Sequence, residues 1–123
     1  MVEVNNRSVQ ENLVEINKKI EAACKRVNRD PVEITIIGIT KYVSVERTRE
    51  AIKAGIINLG ENRDREFLAK YDEIGDEANW HFVGTVQSRK VRDIVNKVSA
   101  IHSVERMSVI KQIDSRAEKE VLL

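Results

Sequence analysis

A chain of 123 residues and 14.1 kDa suits one domain and can bury about two thirds of its unfolded surface. With 41% hydrophobic and 33% charged residues and a mean hydropathy of -0.38, it is neither a disordered chain nor a fibre. Lys and Arg number 21 against 20 acidic residues, so a net charge of +1 leaves no field of one sign to draw it onto nucleic acid or membrane. The single cysteine, Cys24, excludes an internal disulfide and a cysteine-based metal cluster. No apolar run approaches the roughly 20 residues of a membrane span, and Met1 to Arg7 does not open a secretory signal. The expected setting is reduced and cytoplasmic.

Val9, Leu13, Ile16, Ile20, Ala23 and Val27 recur at steps of three and four, which predicts an amphipathic helix over about residues 8–28. Ser8 with Glu11 reads as its capping box, and Asn28-Arg29-Asp30-Pro31 as its stop. Val32 to Lys41 follows as a strand rich in β-branched residues, the pattern of a strand covered on both faces. Period two puts Thr35, Ile37, Ile39 and Lys41 on one face, with Ile34, Ile36, Gly38 and Thr40 on the other.

The pattern then repeats. A short helix from Ser44 ends at Gly55, Ile56 to Gly60 is a short strand, and Glu61 to about Ile74 is a charged helix closed by Gly75. Trp80 to Gly84 is the third strand, Gln87 to about Val98 the next helix and Ala100 to Ser103 the fourth strand. Met107 to Ala117 is helical, and Glu120 to Leu123 resembles the start of a fifth strand. Strands alternating with helices predict a parallel α/β sheet. The apolar ending has no turn after it, and the chain is expected to be the front portion of something longer.

In parallel α/β folds ligands gather at the carboxyl ends of strands. That filter returns Lys41 with Tyr42, Asn58 with Gly60-Glu61-Asn62, His81 with Gly84, and His102-Ser103. Each histidine alone also fits a hydrogen-bonded core residue. A lysine ending an apolar strand fits either a snorkelling cation or an amine poised for Schiff-base formation. Gly60-Glu61-Asn62 fits a plain turn into a helix, with an acid favoured by the helix dipole. Gly84-Thr85-Val86-Gln87 fits a similar turn or an anion-facing loop. No dinucleotide fingerprint or P-loop exists, and two histidines with one cysteine give no metal site. Arg89, Lys90, Arg92 and Lys97 form a basic helix face, read first as solvated surface.

Four segments carry a resemblance: Ile37-Gly38-Ile39-Thr40-Lys41-Tyr42-Val43-Ser44, Leu59-Gly60-Glu61-Asn62-Arg63, Trp80 to Lys90, and Ile101-His102-Ser103-Val104-Glu105-Arg106. In order and spacing they resemble the pyridoxal phosphate homeostasis protein family. The resemblance implies the N-terminal portion of a (β/α)8 TIM-type barrel like the alanine racemase N-terminal domain, with about five parallel strands inside outer helices. All 123 residues then form one partial cofactor-binding domain. Pyridoxal 5'-phosphate is implied as the cofactor, held as an aldimine on Lys41, with Asn62, His81 and His102 lining or supporting its mouth. Thr40 stands where serine is common in the family, and Asp64-Arg65 replaces a pair whose second residue is usually glutamine.

The implied role is vitamin B6 and amino-acid homeostasis without an established turnover reaction. Amino acids or cofactor-dependent apoenzymes are the implied recipients. Racemase-like chemistry is the enzymatic alternative, disfavoured because no second catalytic base can be assigned. A truncated structural or interaction fragment without cofactor is the other. Family members run to about twice this length, so an open sheet edge is expected, with a second chain or copy as a candidate to cover it.

Overall fold

The computed structural model describes residues 8–123. The expectation that Met1 to Arg7 is no secretory signal lies outside them. Helix α1 spans Val9–Arg26 and begins with the expected capping box, Ser8 accepting from Glu11 N and Glu11 from Ser8 N. Strand β1 is Gly38–Ile39, α2 is Val45–Lys53, β2 is Asn58–Glu61 and α3 is Asp64–Ile74. Strand β3 is Asn79–Thr85, α4 is Val91–Ile94, β4 is Ala100–Ser103 and α5 is Met107–Arg116. Among the described residues no helix is long and apolar enough to cross a membrane.

The sheet is parallel with strand order β1-β2-β3-β4. Sequential order without reversal is the order of a barrel arc, whereas a doubly wound sheet reverses at a switch point. The α/β class and parallel topology are therefore as expected. In place of a fifth strand there is one parallel bridge, Ala100 to Leu122. Ile101 N donates to Leu122 O at 2.8 Å, and Leu122 N to Ser99 O at 3.0 Å.

Alternation separates two faces. Leu59, Trp80, Phe82 and Ile101 are fully buried in one core with Phe67 and Ile74 of α3, Val91 and Ile94 of α4, and Val109 and Ile113 of α5. Phe67 meets Trp80 edge-on at 5.5 Å between centroids and Phe82 at 6.2 Å. Trp80 donates its indole N–H to Gly75 O at 2.9 Å, and Gly75 turns the chain out of α3 at φ 59, a region glycine enters without steric cost. Asn58, Gly60, His81, Val83 and His102 occupy the opposite, open face.

Three expectations need correction. Strand one is expected over Val32 to Lys41, but only Gly38–Ile39 joins the ladder, because β2, its one partner among the described residues, begins at Asn58. The helix expected over Gln87 to Val98 is a 3-10 turn, Ser88–Lys90, leading into the four-residue α4. Glu61, expected to open a helix, is instead the last residue of β2, and α3 starts at Asp64 behind an uncapped Arg63.

Candidate functional site

The three strand ends meet around Thr40, Glu61 and Gly84. Thr40 directly follows β1 and is buried. Its amide donates to Gly60 O at 3.0 Å, and its hydroxyl to Glu61 Oε2 at 2.5 Å. Lys70 of α3 donates from Nζ to the Thr40 carbonyl and to Glu61 Oε2, the latter at 2.6 Å. Both partners lie inside, Glu61 with no exposure and Lys70 with 7%. Gly84 presses on the same corner, for a methyl there would lie 2.2 Å from Asn62 O.

Lys41 comes next, exposed in the turn between β1 and α2. Before the turn, Ile37 and Ile39 stand over Gly60 on the open face: a methyl on Gly60 would meet Ile39 Cδ1 at 2.8 Å and Ile37 Cγ2 at 3.4 Å. Val43 N donates to Thr40 O at 3.1 Å and closes the turn. Tyr42 adopts φ 62, uncommon for a bulky side chain, with the Arg63 guanidinium 5.9 Å from its ring centroid. Ser44 then caps α2, accepting from Arg47 N at 3.1 Å.

On the open face His81 Nδ1 lies 2.9 Å from His102 Nε2, and His81 Nε2 lies 3.2 Å from Asn58 Oδ1. With the Asn58 oxygen accepting, His81 carries its proton on Nε2 and accepts from His102 through Nδ1. Burial, and secondarily the neighbouring His102, hold the His81 imidazole below its usual range. His81 is the third residue of β3, not at its carboxyl end as expected, because pairing with β2 and β4 carries that strand on to Thr85.

Asn62 faces elsewhere. It lines an open cleft of about 510 Å³ at the ends of β2 and β3 with Arg63, Asp64, Gln87, Arg89 and Lys90. Lys90 bridges that cleft to Asp64 at 2.6 Å, and this hydrogen bond is the main reason the Asp64 carboxyl sits below the usual carboxylate range. The structure thus joins His81 to His102 directly. Among the described residues no hydrogen bond ties Lys41 or Asn62 to that pair.

Sequence reasoning returned Glu61 only as part of a turn into a helix and passed over Lys70. Nine positions apart, the two give no local signal of pairing. The one available hint was that Glu61 continues the period of Leu59, the inward face of β2.

No family model matches the chain. A pyridoxal phosphate homeostasis protein of Aquifex aeolicus is 37% identical over 110 residues, which is 89% of this chain and 48% of that protein. One from Escherichia coli K12 is 31% identical over 117 residues, 92% of this chain and 50% of that protein. PipY of Synechococcus elongatus, solved with PLP bound, matches at a TM-score of 0.65 and 32% identity over 78% of this chain and 46% of its own. An unknown protein from Bifidobacterium adolescentis, 22% identical, shares the fold at a TM-score of 0.81 over 94% of this chain and 52% of its own. The chain spans about half the length of the curated relatives it matches.

Proposed function

The chain is related to the pyridoxal phosphate homeostasis proteins over about half of their length, and on that premise we propose that residues 1–123 form one partial barrel domain that carries pyridoxal 5'-phosphate on the Lys41 amine. The observation that carries this reading is the place of Lys41. It is an exposed amine next to the buried Thr40, in the turn that follows β1 at the carboxyl end of a parallel strand. When bound, the cofactor supplies an electrophilic aldehyde that a free lysine amine can capture as an aldimine and another amine can displace.

The chain's own groups fit such a ligand in kind. His81 and His102 present ring nitrogens on the open face, and Asn58 holds the His81 proton at Nε2. Asn62, Gln87 and Arg89 offer polar donors at the neighbouring strand ends. The proposed role is cofactor carriage in vitamin B6 and amino-acid homeostasis in the cytoplasm, with amino acids or cofactor-dependent apoenzymes as recipients. Because β1 pairs on one side only among the described residues, a second chain or copy is the proposed cover for that edge.

The test is incubation of the chain with pyridoxal 5'-phosphate, reduction with borohydride and peptide mapping. The expected result is one dominant adduct on the Lys41 peptide, lost in Lys41→Ala. Adducts spread evenly over the lysines would overturn the reading.

A further inference from the structure

A buried ion pair is weak evidence for stability, since desolvating two charges cancels much of their attraction and an apolar pair could pack as well. The Glu61–Lys70 pair carries an additional cost. Glu61 Oε1 is buried and accepts no hydrogen bond among the described residues. What the pair does that an apolar one could not is grip Thr40. Glu61 takes the Thr40 hydroxyl and Lys70 donates to the Thr40 carbonyl, the same oxygen that accepts from Val43 N across the Lys41 turn.

The other flank of Lys41 is tied to the same segment. Arg63, two residues beyond Glu61, stands over the Tyr42 ring, where the backbone is held at φ 62. Asn62, between them, is backed by the Gly84 backbone with no room for a methyl group. An exposed lysine thus sits between a residue bonded through its amide, hydroxyl and carbonyl and a residue in a sparsely populated conformation. Such local strain persists only when its surroundings over-determine it.

We infer that Glu61 and Lys70 are positioning residues for Lys41, acting through Thr40 to set the turn from which its amine projects. The inference rests on Lys41 being the cofactor-bearing amine, but its test does not require the cofactor.

The experiment is competitive acetylation of the intact 123-residue chain with trace acetic anhydride over a range of pH, read lysine by lysine by mass spectrometry. It compares the parent with Thr40→Val, Thr40→Ser and the charge-balanced double variant Glu61→Gln/Lys70→Met. Thr40→Val keeps the volume and removes the hydroxyl; Thr40→Ser keeps the hydroxyl. The expected result is a change of about threefold to tenfold in Lys41 reactivity, or a displaced pH midpoint, in Thr40→Val and the double variant. Thr40→Ser should match the parent, and Lys53 on α2 should be unchanged in all. If the double variant does not fold, the Thr40 pair decides alone. Unchanged Lys41 reactivity in folded Thr40→Val, whatever its melting temperature, would overturn the inference and leave the pair a merely structural one. A parallel borohydride trap on the parent tests the cofactor reading itself. Failure there leaves the acetylation result standing.

Discussion

His81 accepts through Nδ1 and donates through Nε2, and a second proton changes that arrangement. Protonated, it donates at both nitrogens, and His102 must then present a lone pair at Nε2. Two protonated rings cannot share a 2.9 Å contact. The pair therefore holds one added proton more readily than two, and His81, the more buried ring, is held below its usual value of 6.5 by burial first and His102 second. A folded-state value below the unfolded one means the unfolded chain binds more protons across that window. The stability this group contributes is complete above pH 6.5 and falls as the pH drops through 6.5 towards the folded-state value. NMR titration of the imidazole protons should place His81 below 6.5, and His102→Gln should move it part of the way back. A His81 titrating at or above 6.5 in the parent would refute the assignment. At Gly84 the issue is space. A methyl would meet the Asn62 backbone at 2.2 Å, and backbone yields less readily than a side-chain tip. Gly84→Ala should cost about 1–3 kcal/mol in urea denaturation, with the largest NMR shift changes at Asn62 and Arg63. At this scale the position of Lys41 just past a strand was legible, because an apolar run that breaks off at lysine marks the approach of a strand end. Glu61 with Lys70 was not, since burial of a charge is decided by a partner on another element.

Elements were legible in proportion to how far local pattern controls them. Helix α1 follows from its stripe and capping box, yet Val14, Ile16 and Val27 stay exposed, for among the described elements α1 packs mainly on α2 and the Pro31–Glu33 turn. Strand β1 failed as a length prediction for the converse reason. Its β-branched run is long, but a ladder needs a partner, and β2 offers only four residues. The segment after β3 failed similarly. Its apolar residues Val91, Ile94, Val95 and Val98 are all fully buried as expected, while the backbone holds α-helical bonds only from Val91 to Ile94. Helix α2 gives the cleanest element-level test. It is nine residues long, and the Ser44 hydroxyl satisfies one of its free amides three residues beyond Lys41. Ser44→Ala should cost about 1 kcal/mol in denaturant unfolding, and Ser44→Asp should recover most of it. No loss in Ser44→Ala would show that tertiary packing alone holds α2.

At the scale of the molecule, one face of the sheet is closed by helices and the other is open, and the bound phosphate of the proposed cofactor is where that asymmetry matters. A lysine linkage fixes only one end of the ligand. The phosphate carries about two charges, which need oriented donors to offset their desolvation. Three of the cationic groups near the described strand ends are engaged elsewhere: Lys90 with Asp64, Lys70 with Glu61, and Arg63 over Tyr42. Arg89 lines the cleft beside Asn62 and bonds Gln87 at 3.2 Å. Capture by Lys41 without a phosphate cradle should therefore be reversible and weak. Joining these residues to the second half of a relative such as the Aquifex aeolicus protein, of which they span 48%, should add the missing donors and tighten binding. Titration of the 123-residue chain and of that extended chain with pyridoxal 5'-phosphate, followed by the imine absorption band, compares them directly. Lys41→Ala serves as the control in each. The expected outcome is at least about a tenfold tighter, lysine-dependent Kd for the extended chain, the equivalent of one additional charge-assisted hydrogen bond. Equal and tight lysine-dependent binding by both would mean that the ends of β1 to β4 already hold the phosphate, and that the cleft beside Asn62 has to be re-read as its seat.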